Sequence, residues 1–184
     1  MNRKYAFPFD SNHQEFPGKK VFTNVIIAPM VIPVVVAGIA MYHTFSNYKL
    51  VNTITGMVLA HSVLAIPIVF ITIFAGLNGI DRNVELAALS LGSTPIGVFF
   101  KITLPLIRPA VIASVLFAFI TSLDEVVVSI FISGATTKTL PMVMWENMRT
   151  QVDPTIAAAS TLLIGGTILL FLVQGLARIP LKQK

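Results

Sequence analysis

The residues best suited to chemistry in this sequence are two adjacent acids, Asp124 and Glu125, set in an otherwise apolar run, "ASVLFAFITSLDEVVVSIFISG". They follow Pro109 by 15 residues, roughly 22 Å along a helix. An ionised carboxylate near a bilayer centre costs about 2.5 to 3.5 kcal/mol on insertion scales, so such groups face a cavity, a partner or a pathway. On a continuous helix the two side chains point about 100° apart, which predicts different jobs for them. Two readings are open: either or both acids attract a cationic substrate, for which a polyamine has the right chemistry, or they hydrogen-bond to a partner subunit or to His61. His61 and Ser62 are the other polar pair inside an apolar run, and a lone histidine there is more often a hydrogen-bonded packing residue than a ligand. His13, His43 and His61 show no metal-ligand spacing. With no cysteine, thiolate chemistry and disulfides are excluded. Adjacent acids on one helix cannot face each other across a scissile bond, and no Ser/His/Asp set accompanies them, which argues against an intramembrane hydrolase. No G-x-x-x-x-G-K followed by Ser or Thr occurs, so the chain binds no nucleotide by that device.

The elements that must position these residues are apolar and helical. Of 184 residues, 55% are hydrophobic and 11% charged, with a mean hydropathy of +0.83. Soluble domains carry about 25% charged residues, so the deficit predicts a membrane protein. The net charge of +5 raises nucleic acid as a partner, but the basic residues neither cluster nor interleave with aromatics. Residues 1–20 are mostly polar and do not read as a secretory signal. Four apolar segments, at about 21–42, 54–77, 106–132 and 156–176, each hold the roughly 20 residues a spanning helix needs. No strand alternation competes with them. The expected fold is all-α: a polytopic bundle of four transmembrane helices over residues 21–178, a polar N-terminal segment at 1–20 and a tail at 179–184. With the N-terminus inside, ten Lys and Arg residues fall on the cytoplasmic side; Lys49, Lys138 and Arg149 fall outside. That bias sets the orientation and puts both termini in the cytoplasm.

Several residues are expected to break these helices. Pro29 and Pro33 lie in the first segment and Pro67 in the second; Gly165 and Gly166 are expected to interrupt the fourth. Such breaks are either ordinary packing kinks or irregular helices lining a path. In the outer connection at 133–155, Leu140, Met144 and Met148 recur at helical spacing and predict a short surface helix. Trp145 suits a membrane interface. Asp153 and Pro154 make an N-cap and first-turn pair for the last span.

Between the second and third spans lies "DRNVELAALSLGSTPIGVFFKITLPLIRP", residues 81–109, too polar and punctuated to cross a bilayer. Asp81 or Asn83 can cap a helix, Glu85 falls in its first turn, and Val84, Ala87, Ala88 and Leu91 make an apolar face. Gly92 is a C-terminal stop, and Thr94 with Pro95 restarts a helix. Ile96, Phe99 and Phe100 make a second stripe, and Leu104 with Pro105 is expected to end it. The stretch thus predicts two short helices joined by a glycine corner, the first displaying the small residues Ala87 and Ala88 to a partner surface. A helix lying on lipid is the alternative, but beyond Arg82 beside the cap its only charge is Glu85, where a basic face would be needed.

This spacing resembles the EAA loop of ABC importer permeases: Glu-Ala-Ala, three residues, Gly, nine residues, then Ile-x-Leu-Pro. Here stand Ala87 and Ala88, three residues, Gly92, nine residues, and Ile102, Thr103, Leu104, Pro105. The family's Glu position holds Leu86, with Glu85 one place earlier. The resemblance runs from about residue 16 to 176, and "FPGKKVFTNVIIAPMVIPVVVAGIA", "SLDEVVVSIFISG" and "TLPMVMWENMR" are most similar to the spermidine/putrescine branch. It implies that Glu85, Leu86, Ala87, Ala88 and Gly92, framed by Pro95, Leu104 and Pro105, form the coupling helix of a loop at 81–105 that docks on a cytoplasmic ATPase subunit. ATP and Mg would then belong to that subunit, with no cofactor on this chain and no enzymatic activity of its own. A second permease subunit, an external solute-binding protein and an inner-membrane location are implied as well. Asp124 and Glu125 would line the substrate pathway. Full members of the branch resemble six-span proteins; four spans are expected here, matching the last four, and residues 1–15 do not look like a preceding span. An N-terminal truncation, a misassigned start or a split permease follows as an expectation. The competing class is a small four-helix channel or membrane assembly protein without an ATPase partner.

Overall fold

The computed structural model describes residues 18–150 and 154–177. All its regular elements are helices: α1 (Lys19–Val31), α2 (Val34–Asn47), α3 (Ile54–Asn78), α4 (Arg82–Ser90), α5 (Pro95–Val98), a π turn (Phe99–Thr103), α6 (Leu104–Asp124), α7 (Val127–Ile132), α8 (Leu140–Thr150) and α9 (Pro154–Ala177). No strand occurs among the described residues. Three helices are long and apolar enough to cross a membrane, at Ile54–Asn78, Pro95–Asp124 and Ala157–Gly175; the α1–α2 pair makes a fourth if it crosses as one bent span. The expected cap at Asp153 lies outside the described residues.

The first apolar run is broken at Ile32 and Pro33, as expected of Pro33, with a bend of 105° between α1 and α2, whereas Pro29 and Pro67 lie inside α1 and α3 without ending them, a correction to the breaks expected there. Pro33 has no N–H and drives the residue before it out of the helical region, so α2 restarts at Val34 with Pro33 as its cap. In the third run, α6 ends at Asp124 and α7 begins at Val127, so the two acids sit at a helix break rather than mid-helix. Leu104 and Pro105 do not end the second loop helix, because the helix runs from Pro95 to Asp124 without a stop. The π turn explains this. Leu104 N–H bonds to the Phe99 carbonyl, five residues back, and the widened ring makes room for Pro105, whose ring would otherwise strike the Lys101 carbonyl. Finally, α9 passes through Gly165 and Gly166 unbroken. Glycine costs about 1 kcal/mol per residue in a helix interior, less than exposing unsatisfied backbone groups to hydrocarbon.

The described residues divide into two compact units: 18–28 with 66–117, and 29–65 with 118–150 and 154–177. In the first unit, Ala88, Val98, Thr103 and Ile107 are buried, and α3 and α6 come close at Gly76, where an added Cβ would lie 2.4 Å from the Ala110 Cβ. In the second, Met57, Ala60, Val128 and Ile132 form the core, with Met41, Phe45, Leu64 and Phe131 packed against it. Van der Waals fit of this kind, rather than hydrophobic drive, holds membrane helices together. α2 lies on α7 because Gly38 leaves space for Phe131, whose Cδ2 would be 2.6 Å from an added Cβ. The turn before α3 is drawn in by Asn52 N–H on the Ile132 carbonyl, 2.9 Å, and by Thr53 Oγ1 donating to the Leu50 carbonyl, 2.6 Å.

Candidate functional sites: the cornered loop and the acidic helix break

The loop between α3 and α6 is built by caps. Asp81 is the N-cap of α4 and accepts from the Asn83 N–H at 2.9 Å, satisfying one of the orphan donors of the first turn, worth typically about 1 kcal/mol. At the other end Gly92 N–H bonds to the Leu89 carbonyl at 3.0 Å and Ser93 N–H to the Ala88 carbonyl at 3.1 Å. This is the Schellman pattern, which needs a left-handed residue at the position Gly92 fills; its φ is +88°. Nothing lies within 4 Å of an added Cβ there, so the need for glycine is conformational and not steric. Thr94 then caps α5, accepting from the Gly97 N–H at 3.1 Å, with Pro95 in the first turn.

Glu85 has a role that its spacing did not reveal. Its Oε1 accepts from the hydroxyl of Thr103 at 2.5 Å, tying the first loop helix to the π turn. Ala88, one turn on and on the same side, is 7% exposed. The expectation that Ala87 and Ala88 are both displayed is therefore corrected. Ala88 packs inside the loop's own fold, and the outward set is Leu86 at 45%, Leu91 at 88%, Ala87 and Gly92. The expected apolar face was not a core face, because a nine-residue helix pinned by Glu85 can turn only the side of Glu85 and Ala88 inward. Pro95 and Leu104 are half-buried and Pro105 is exposed. Thr103 was missed in the sequence, where its only signal is its place inside the Ile-x-Leu-Pro tetrapeptide.

At the end of α6 the two acids part. The Glu125 carboxylate turns back onto the chain and accepts from the Val128 N–H at 2.7 Å, filling an orphan donor at the start of α7. The Ser129 hydroxyl donates to the Glu125 carbonyl at 2.9 Å. His61 on α3 is 8% exposed and sits between two hydroxyls, with Nδ1 2.8 Å from Ser122 Oγ and Nε2 3.1 Å from Ser129 Oγ. With its proton on the Glu125 carbonyl, the Ser129 hydroxyl has lone pairs to accept from His61 in the tautomer that carries a proton on Nε2. His61 thus holds the break together, and its link to the acidic pair runs through the Ser129 hydroxyl. Ser122 and Ser129 were not singled out in the sequence; the i, i+4 spacing of Glu125 and Ser129 was the available clue.

Asp124 is exposed and borders a cavity of about 430 Å³ walled by residues of α6, α8 and α9, Trp145 and Met144 among them. The surface helix expected from Leu140, Met144 and Met148 is α8, and it carries Trp145 to this wall. Pro141, Met144, Trp145 and Met148 line the cavity together because they recur every three to four residues. Among the described residues no group of three or more His, Cys, Asp or Glu could hold a metal ion.

The family described as "Binding-protein-dependent transport system inner membrane component" matches residues 9–178. The chain is 40% identical over 158 residues to the putrescine transport system permease protein PotI of Escherichia coli (strain K12), covering 82% of this chain and 56% of that protein. It is 34% identical over 149 residues to the spermidine/putrescine transport system permease protein PotC of Haemophilus influenzae, covering 81% and 58%. A probable molybdenum ABC transporter permease of Haloferax volcanii is 27% identical over 174 residues, 90% and 64%. The chain thus spans a little over half the length of the two polyamine permeases. These relatives are transport permeases rather than enzymes. A helical chain with a glycine-cornered loop ahead of a long span, matched by this family over residues 9–178, belongs to the inner-membrane components of binding-protein-dependent transport systems.

Proposed function

We propose that the chain is the membrane-spanning permease subunit of an ABC importer for a small cationic solute of the polyamine class. A separate ATPase subunit drives it by docking on the 81–105 loop, which faces the cytoplasm with both termini. The observation that carries this reading is the loop: two capped helices on a Schellman corner, clasped by Glu85 and Thr103, with an apolar outward face. A partner can move such a loop only by binding its conformations unequally or by gripping a body stiff enough to be pulled, and the clasp supplies stiffness. The second loop helix continues into α6, so displacement of the loop carries into a span without passing through a flexible joint.

Asp124 supports the choice of a cation. It presents a carboxylate to an otherwise apolar cavity, whereas Glu125 serves the start of α7. The pathway role expected for both acids is accordingly proposed for Asp124 alone. The polyamine class follows from the names of the relatives and from this chemistry. The partners would be the ATPase carrying ATP and Mg, a second permease subunit and an external solute-binding protein.

The test is uptake of labelled putrescine and spermidine by vesicles reconstituted with the chain and the proteins of its transporter. ATP-dependent uptake, with the ATPase co-purifying through an intact loop, is the expected result. A chain that purifies without any ATP-binding partner and conducts passively would instead be a small channel, and the reading would be withdrawn.

A further inference from the structure

The cavity beside Asp124 has a chemical character of its own. Its walls are aliphatic side chains of α6 and α9, the thioethers of Met144 and Met148, and the indole of Trp145. Asp124 is the one ionisable side chain among the lining residues. Thr167, the one hydroxyl there, donates to the Leu163 carbonyl at 2.8 Å. A hydrated inorganic ion entering such a space would exchange its water for hydrocarbon, since hard cations need several oxygen ligands. An alkylammonium suits it better, with methylenes against the thioethers and aliphatic wall, one charge at Asp124 and the indole as a cation platform. The volume falls in the range of small-molecule sites.

The indole is already in use. The Arg149 guanidinium lies 3.9 Å from the Trp145 ring centroid, one turn along α8. A cation on either face draws on the same ring quadrupole and repels a second cation, so Arg149 opposes an incoming ammonium whichever face that ammonium takes.

We propose that Asp124, Trp145 and the Met144 and Met148 thioethers form a binding subsite for one end of an alkyldiamine, and that Arg149 is a resident competitor that weakens it. The proposal rests on the reading of the chain as a permease for cationic solutes. A subsite that holds its own cation releases a translocated one readily, which a pathway requires and a tight receptor does not.

Trp145 is the single tryptophan of the sequence, so indole fluorescence of the full chain in lipid nanodiscs reports this ring. Titration with putrescine is expected to give a saturable change. Arg149→Gln should move the midpoint to about three- to tenfold lower concentration, the range of one cation–π interaction together with relief of repulsion. Arg149→Lys, which keeps a cation on the ring, should stay within about twofold of wild type. Asp124→Asn should raise the midpoint by about tenfold or more. A midpoint unchanged or raised in Arg149→Gln would overturn the competitor role, and a midpoint unchanged in Asp124→Asn would overturn the subsite. ATP-driven putrescine uptake by the assembled transporter, with Trp145 silent to putrescine, would remove the subsite and leave the permease reading standing. Saturable titration without any ATP-driven uptake would remove the permease reading and leave the subsite.

Discussion

Substitution at Gly92 separates conformational from steric constraint in the cornered loop. The φ of +88° lies where an L side chain costs roughly 1 to 2 kcal/mol, and an added Cβ meets nothing within 4 Å, so Gly92→Ala should cost that backbone term and nothing more. Asparagine tolerates left-handed backbone better than other side chains, so Gly92→Asn should cost less than alanine. Proline fixes φ near −65° and has no N–H. Gly92→Pro therefore loses the bond to the Leu89 carbonyl and cannot form the corner at all, a loss of more than ~3 kcal/mol. A penalty of 1 to 2 kcal/mol lowers the ratio of cornered to uncornered loop about 5- to 30-fold. Co-purification of the ATPase subunit and ATP-driven uptake in reconstituted vesicles should both fall in the order Gly, Asn, Ala, Pro, with the proline variant uncoupled although still inserted. If Gly92→Pro retained the ATPase and transported as well as Gly92→Ala, the corner would not be what couples the loop to its partner, and the argument from backbone geometry would fail.

Other consequences are independent of the corner. Glu85→Ala and Thr103→Val each remove one partner of the 2.5 Å clasp; a double-mutant cycle on protection of the loop from protease should return a coupling of about 1 to 2 kcal/mol, and zero coupling would mean that the clasp bears no load. Glu125→Gln keeps an oxygen for the Val128 N–H and should leave thermal stability within about 0.5 kcal/mol of wild type. Glu125→Ala should lose about 1 kcal/mol, and equal melting of the two variants would refute the capping role. Asp124→Asn, by contrast, should leave stability alone and reduce uptake of a divalent alkylammonium, measured as initial rate against concentration. In the second unit, Gly38→Leu places a side chain where Phe131 sits, 2.6 Å from the first added carbon; overpacking of about 1 to 3 kcal/mol should lower the melting temperature in detergent, whereas Gly166→Leu, with nothing within 4 Å, should not.

The helical class and the punctuation of the chain are legible in its residues alone. Apolar runs of spanning length leave few alternatives to helices in a bilayer, because only helices and closed barrels satisfy their backbone there. The caps at Asp81, Gly92 and Thr94 were legible because capping is local: each uses hydrogen bonds or φ angles within a few residues of chain. Where helices break and which way side chains turn depends on how the helices pack. Pro33 breaks its helix, while Pro105 and the Gly165 and Gly166 pair do not; the difference lies in whether neighbouring turns can re-satisfy the backbone, as the π turn does before Pro105. Asp124 and Glu125 look equivalent in the sequence. Their roles part because the helix ends between them, one carboxylate folding back on the next N–H and the other facing a cavity whose far walls are residues twenty and forty positions away. The pairing of Glu85 with Thr103, eighteen residues apart, and of His61 with serines more than sixty residues away, likewise depends on how helices pack, which no local pattern encodes.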